Sequence, residues 1–399
     1  MKLRRREWLG LAGALTAATS CKPKPIAVAE NEPSLLGKPV SAYGERSPFE
    51  TAKRALPETR YPETASSRTP LQDSCGIITP SSLHYERHHA GVPKINPAEH
   101  RLLIHGLVER PTFFNLEEIK RLPSVSKIYF LECSGNSGSE WRPKGAPNAA
   151  ASHGLASCSE WTGVPLSLLL SETGIARKAQ WLILEGGDAC RMQRSLPIAK
   201  AMEDTLIAWG QNGEPLRPEQ GYPLRALVPG WEGNISVKWL RRIQAVEEPY
   251  MVRDETSHYT DSLPDGTARI FTFMMEAKSL ITYPSGGQKV KAPGFCEITG
   301  LAWSGRGKIR RVEVSTDGGR TWRDADLQEP RLDKAFTRFR LPWTWDGAET
   351  ELQSRCTDES GYVQPLREAL VEARGLNSQY HCNAIKAWKI APDGSVTNA

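Results

Sequence analysis

The chain has 399 residues and a formal net charge of +5, to which Lys2, Arg4, Arg5 and Arg6 against Glu7 contribute a surplus at the extreme N-terminus. The remainder is close to neutral, which argues against a nucleic-acid partner, and the length predicts two domains. Among the eight cysteines there is no Cys-x-x-Cys spacing, which excludes a zinc ribbon and a thioredoxin motif; with no Cys-x-x-Cys-His, no c-type haem is attached to this chain.

In chain order, Arg4-Arg-Arg6-Glu-Trp8-Leu9 is similar to a twin-arginine motif with Arg5-Arg6 as the pair. The uncharged stretch Trp8 to Ser20 that follows is too short to span a bilayer. Residues 1–20 are therefore expected to be a twin-arginine signal that exports the folded protein to the periplasm. Ala18-Thr-Ser-Cys21 is similar to a lipoprotein box that lacks its usual leucine, so Cys21 is a candidate lipid anchor. Residues 21–75 carry eight prolines and no sustained apolar period, and are expected to form a Pro-rich extended tether, free or partly draped over the domain.

A first globular domain is expected over residues 76–264. Leu102 to Val108 reads as a strand, and Leu116 to Leu122 has helical spacing that stops at Pro123. Val164 to Leu170 opens a helix with Pro165 near its first turn, ending before Gly174. Trp181 to Leu184 reads as a buried strand; Leu227-Val228 and Ile235 to Leu240 supply further short strands. This irregular mixture predicts α+β. From residue 265 to 395 the texture changes. Ile309 to Ser315 and Phe336 to Leu341 alternate in period two, and Asp317-Gly318-Gly319 turns the chain between strands. A β-sandwich is expected there.

Chemistry is placed on Lys127 to Arg142. Ile128-Tyr-Phe-Leu131 is a buried-strand run, and it stops at Cys133, where Ser134-Gly-Asn-Ser-Gly138 opens a loop. A single thiol at the end of a rigid strand is where a functional group is commonly held, although cysteine is also among the residues most often buried and inert.

Cys133-Ser-Gly-Asn136 resembles the molybdenum-ligand loop of the sulfite oxidase family. Arg87-His-His89, Glu185-Gly-Gly-Asp188, Gln220 to Arg225 and Val228 to Leu240 match in the same order, and the resemblance runs from Ser81 to Lys389. It implies a mixed α/β molybdopterin-binding domain followed by an immunoglobulin-like β-sandwich dimerisation domain, and a molybdenum–molybdopterin cofactor with the Cys133 thiolate as metal ligand. Tyr85, Arg87, His88, His89, Asp188, Gln220, Arg225, Ser236 and Lys238 are the implied cofactor-binding set. Arg225 and Lys238, with Ser236 beside them, would meet the pterin phosphate, and Asp188 the pterin ring. Arg87 and Tyr259 join Cys133 as catalytic candidates. His88 stands where the family has asparagine, and Gln220 where many members have histidine.

Within the family the chain is similar to the molybdenum subunit of sulfane/sulfite dehydrogenases of thiosulfate-oxidising systems. That implies oxidation of sulfite or protein-carried sulfane sulfur, electrons passed to a separate c-type cytochrome, a sulfur-carrier partner, and a homodimer through the C-terminal domain. The alternatives are a methionine-sulfoxide reductase of the same superfamily and a cofactor-free binding module. Sulfite oxidases place a second substrate arginine where this chain has Gly138. The expectation is room for a bulky carried substrate there, unless Arg142 or Arg269 reaches in.

Overall fold

The computed structural model describes residues 39–399 except Lys144 and Pro264, so Arg5, Arg6 and Cys21, which carry the expected export signal and lipid anchor, lie outside the described residues. The chain divides into two units, residues 1–51 and 52–399. The described part of the first, from residue 39, contains turns and bends.

The tether expected to reach Cys75 is folded from Ala52 onward. Ala55 and Arg68 exchange backbone hydrogen bonds, Ser66–Ser67 pairs with Glu86–Arg87, and Leu71 is fully buried. The Thr69 hydroxyl meets that of Ser157 at 2.6 Å. The stretch is poor in apolar residues, but its central one is driven into the core and its backbone groups find partners there. The boundary drawn at residue 75 is therefore not a boundary of the fold.

Two five-stranded sheets form the first half of this unit. One runs Glu214–Pro215, Leu206–Gln211, Ala156–Pro165, Val125–Glu132, with Arg225–Leu227 pairing on Leu206–Gln211. The other runs Thr112–Asn115, Arg101–Gly106, Leu240–Val246, Trp181–Gly186, Gln193–Pro197. Leu240–Val246 is parallel to Arg101–Gly106 and antiparallel to Trp181–Gly186. Short helices connect the strands as the sequence dictates. Leu116–Arg121 is opened by a reciprocal cap between Asn115 and Glu118. Leu166–Thr173 follows Pro165 and stops at Gly174, whose φ of 69° suits a residue without Cβ. The strand expected over Ile235 to Leu240 is different. Gly233–Ile235 is a 3-10 turn, Trp239 has φ 52°, and the strand begins only at Leu240. An alternating strand would send Lys238 and Trp239 to opposite faces, whereas here both line one cavity.

The second half is a β-sandwich. A four-stranded sheet, Lys278–Tyr283, Gly294–Trp303, Thr337–Trp345, Asp326–Leu327, faces a five-stranded one, Arg323–Asp324, Ile309–Ser315, Thr350–Asp358, Ala387–Ile390, Val396–Asn398. Trp303, Trp345 and Trp388 are buried between them, and this core continues into the first half through Phe130, Ala149, Ala156 and Cys158. Phe130 also takes the Lys334 carbonyl at 2.9 Å. The strand that leads to Cys133 is thus braced by the sandwich. Among the described residues, no helix is long and apolar enough to cross a membrane, and the cysteines are free thiols.

Candidate active site

Cys133 follows the last residue of strand Val125–Glu132. Its N–H donates to Leu155 O at 2.9 Å, and its carbonyl accepts from Asn136 N–H at 2.9 Å. The Asn136 side chain closes the loop: Nδ2 donates to Glu132 Oε1 at 2.9 Å, and Oδ1 accepts from Leu155 N–H at 3.0 Å. Ser137 takes a left-handed φ of 63°, held by a bond to Ser152 O. Beneath the loop, fully buried Glu132 pairs with buried Lys278 and accepts from Trp303 Nε1 at 2.6 Å, both from the sandwich half. The thiol is therefore pinned from two sides. Burial pushes its pKa up, against a hydrogen bond from Gly135 and the charge of Arg87.

The thiol opens into a cavity of about 640 Å³, counted to its mouth. All eleven residues expected at the site line it: Tyr85, Arg87, His88, His89, Cys133, Asp188, Gln220, Arg225, Ser236, Lys238 and Tyr259. Its cations lack carboxylate partners at ion-pair distance among the described residues. Buried Arg225 donates to the carbonyls of Gln220 at 3.1 Å and Ser236 at 3.0 Å, with its guanidinium 5.0 Å from the Trp161 ring. Lys238 Nζ donates to Arg87 O and Glu219 O, both at 3.1 Å, and meets His88 Nδ1 at 2.8 Å. Arg87 donates to the carbonyls of Thr64, at 2.7 Å, and His88.

Desolvation sets the protonation of these groups. It lowers Lys238 to about 7, helped by the charge of Arg225. It lowers Arg225 to about 10. His88 is also lowered by burial and so is neutral. With Nδ1 accepting from Lys238, His88 carries its proton on Nε2, which donates to Glu86 at 2.8 Å. A cavity with three cations that no carboxylate meets at ion-pair distance fits an anionic ligand carrying phosphate. Gly221, at φ 107°, allows the approach of its walls: a Cβ there would lie 3.1 Å from Lys238 and 3.2 Å from Arg225. Asp188 receives the Cys190 thiol at 2.8 Å and Met192 N–H at 3.3 Å. Gln220 Nε2 donates to Tyr85 O at 2.9 Å, and Ser236 Oγ accepts from Val228 N–H at 3.0 Å.

Tyr259 Oη lies 2.8 Å from His89 Nε2. Burial and the Cys133 charge push the phenol well up, while burial and Arg87 lower His89 to about 4. The phenol therefore donates to a neutral imidazole. The Tyr259 ring lies 5.0 Å from the Arg194 guanidinium. Arg194 is buried and neutralised by Glu232 at 2.8 Å and Glu255 at 3.4 Å. Glu232 further accepts from Asn234 and faces His381 Nε2 at 3.3 Å. Although burial opposes it, these partners hold Glu232 at about 2.

Sequence reasoning missed Leu131, Met192, Gly233, Asn234, Val237 and Trp239 as cavity residues. Four of these stand inside the Val228 to Leu240 motif, which could have pointed to them. His84 takes no part: it is buried, and its Nδ1 meets Tyr85 O. Arg142 and Arg269 are not among the cavity's lining residues. Gly138 is not among the cavity's lining residues either, and a Cβ there would meet one atom, the Gln379 carbonyl oxygen at 3.2 Å.

Residues 89–253 match the oxidoreductase molybdopterin binding domain, and residues 269–388 the Mo-co oxidoreductase dimerisation domain. The chain is similar to the sulfane dehydrogenase SoxCD from Paracoccus pantotrophus. The crystal structure of that protein superposes with a TM-score of 0.92 at 44% identity, over 94% of this chain and 99% of the matched one. It is 31% identical to nitrate reductase [NAD(P)H] of Hordeum vulgare over 77% of this chain and 39% of that protein. It is also 31% identical to mitochondrial sulfite oxidase of Drosophila melanogaster, over 78% of this chain and 59% of that protein. The chain thus spans about two fifths of the barley enzyme's length.

Proposed function

We propose that this chain, which belongs to the sulfite oxidase family of molybdopterin oxidoreductases, oxidises sulfite or sulfane sulfur carried on a partner protein and passes the electrons to a separate c-type cytochrome. The observation that carries this reading is the single cavity that joins the pinned Cys133 thiol to Arg87, Arg225 and Lys238, cations with no carboxylate at ion-pair distance among the described residues. The residues fit the family's cofactor, molybdenum–molybdopterin: Cys133 would ligate the metal as a soft thiolate, Arg225 and Lys238 would hold the phosphate, and Asp188 and Gln220 the pterin. When bound, this group supplies two-electron oxygen-atom chemistry.

This chain's own residues bind, orient and exclude water. Arg87 attracts an anionic sulfur group toward Cys133. Tyr259 Oη, protonated, donates to the substrate's oxygens or to His89 Nε2, which is kept neutral by burial and Arg87. For each two-electron step at sulfur, one water oxygen is gained, and two protons and two electrons leave. The electrons go one at a time to the cytochrome. Twin-arginine export to the periplasm, from Arg5-Arg6, and a homodimer through the sandwich complete the proposal; a lipid on Cys21 would tether the protein to the membrane.

The test uses protein matured in a host that makes the cofactor. About one molybdenum per chain and cytochrome c reduction with sulfite or a persulfide are expected, and Cys133→Ser should abolish turnover. Nitrate turnover with a reduced dye, without sulfur oxidation, would overturn the reading, as would full activity of Cys133→Ser.

A further inference from the structure

Lys238, whose ammonium lines the cavity, rests on the carbonyls of Arg87 and Glu219 and on His88 Nδ1. These supports are held from residues 54–67, a strap that precedes residue 89, where the match to the molybdopterin binding domain begins. Ser66 and Ser67 pair with Arg87 and Glu86. Thr64 O accepts from Arg87 Nη1 at 2.7 Å, and Ala65 O accepts from His88 N–H at 3.2 Å.

The His88 and Glu219 supports converge on one side chain of the strap, the half-buried Arg54. Its Nη1 pairs with Glu86 Oε1, stands 3.7 Å from Glu219 Oε1 and donates to His84 O at 3.2 Å. Glu86 Oε2 accepts from His88 Nε2 at 2.8 Å. A chain of charge-assisted bonds thus runs from Arg54 through Glu86 and His88 to Lys238. Although burial opposes it, the His88 hydrogen bond and the Arg54 charge hold the Glu86 carboxyl below its ordinary range. The ionised carboxylate takes the Nε2 proton of the imidazole and so leaves Nδ1 with the lone pair that receives Lys238. Without Arg54 the carboxylate loses the partner that fixes it under the ring. An imidazole released to turn presents N–H, not a lone pair, to the ammonium.

Resting on the reading that Lys238 holds the cofactor's phosphate, we propose that Arg54 is a positioning residue for cofactor binding, which aims the Lys238 ammonium into the cavity through Glu86 and His88. The loaded protein tests it, with molybdenum per chain followed through timed dialysis. Arg54→Met should lose molybdenum about tenfold faster than the parent. Glu86→Gln breaks the chain at its middle and should do the same; it decides the question where Arg54→Met fails to fold. Arg54→Lys should stay within about twofold of the parent, because a single nitrogen makes these contacts and an ammonium can replace it. A merely structural role would not produce coupling to Lys238. On a Lys238→Met background, Arg54→Met should therefore add less than about twofold. Loss at the parent's rate in Glu86→Gln or in folded Arg54→Met, or a further loss of about tenfold on the Lys238→Met background, would overturn the role of Arg54 and leave the phosphate site standing. If Lys238→Met keeps molybdenum as the parent does, or the parent holds none, the underlying reading of the site fails, and this inference with it.

Discussion

Two groups of buried charges meet at the cysteine loop and are treated in opposite ways. Behind the loop, Arg194 is paired with Glu232 and Glu255, and Lys278 with Glu132. Lining the cavity, Arg225 and Lys238 have carbonyls and a neutral imidazole instead. A buried cation without a counter-charge costs several kcal/mol. Compensated charge marks the scaffold, and uncompensated charge marks the surface built for a ligand. Burial alone does not separate the two, because Arg194 and Arg225 are equally hidden.

Removing one partner from each group should therefore have different consequences. The largest loss of stability is expected for Lys278→Met, which leaves Glu132 buried and unpaired beneath Cys133, at a cost of about 3–5 kcal/mol. Urea unfolding of the cofactor-free protein measures it; a loss under about 1 kcal/mol would break the comparison. Arg225→Met should leave the cofactor-free protein as stable or more so, because it removes an uncompensated charge. Its effect should appear instead as about thirtyfold weaker cofactor retention, from the loss of about 2 kcal/mol of charge-assisted contact. The molybdenum-to-protein ratio after dialysis reads this. If Arg225→Met unfolds as readily as Lys278→Met, the cavity cations are scaffold after all.

The pH dependence sharpens the same contrast. Lys238 has a folded pKa of about 7 against an ordinary 10.5. Between those values the unfolded chain holds a proton that the folded one has lost, so this group makes stability rise with pH across that window. Glu232 lies at about 2 against 4.5, so its contribution is full above 4.5 and is lost as pH falls through 2. In the cofactor-free protein, Lys238→Met should flatten the alkaline rise and spare the acid limb. Glu232→Gln should do the reverse. A bound anion keeps Lys238 charged, so loaded protein should show less of the alkaline rise. Unfolding midpoints at pH 3, 7 and 9 check each of these expectations.

The cavity side of this contrast was legible in the sequence, and the scaffold side was not. Cys133 at a strand end and the motifs carrying Arg87, Asp188, Arg225 and Lys238 each announce themselves locally, and the fold brings all of them to one cavity. The scaffold pairs are made across the chain. Lys278 and Glu132 are 146 residues apart, and His381 and Glu232 are 149 apart. No local spacing signals such a pair. The strand expected over Ile235 to Leu240 failed for a related reason. Its apolar pattern is that of a strand, but the left-handed Trp239 breaks it so that Lys238 and Trp239 share the cavity.

The smallest expected effect lies at Gly138, where the two sides touch. An alanine there needs no unusual backbone, and by itself it would stabilise through the unfolded chain by about 0.4–1 kcal/mol. Against that, its Cβ would stand 3.2 Å from the Gln379 carbonyl, so that carbonyl must give by a few tenths of an ångström. Asp261 holds the neighbouring N–H groups, and Ser134 holds that of His381. A segment held at three points resists the shift, and crowding in a packed site typically costs about 1–3 kcal/mol. The low end applies here because the contact is a single atom. Gly138→Ala should therefore be destabilising by no more than about 1 kcal/mol, as read by a lowered unfolding midpoint with an unchanged denaturant slope. A raised midpoint would mean that the Gln379 carbonyl yields freely despite the bonds that hold its neighbours.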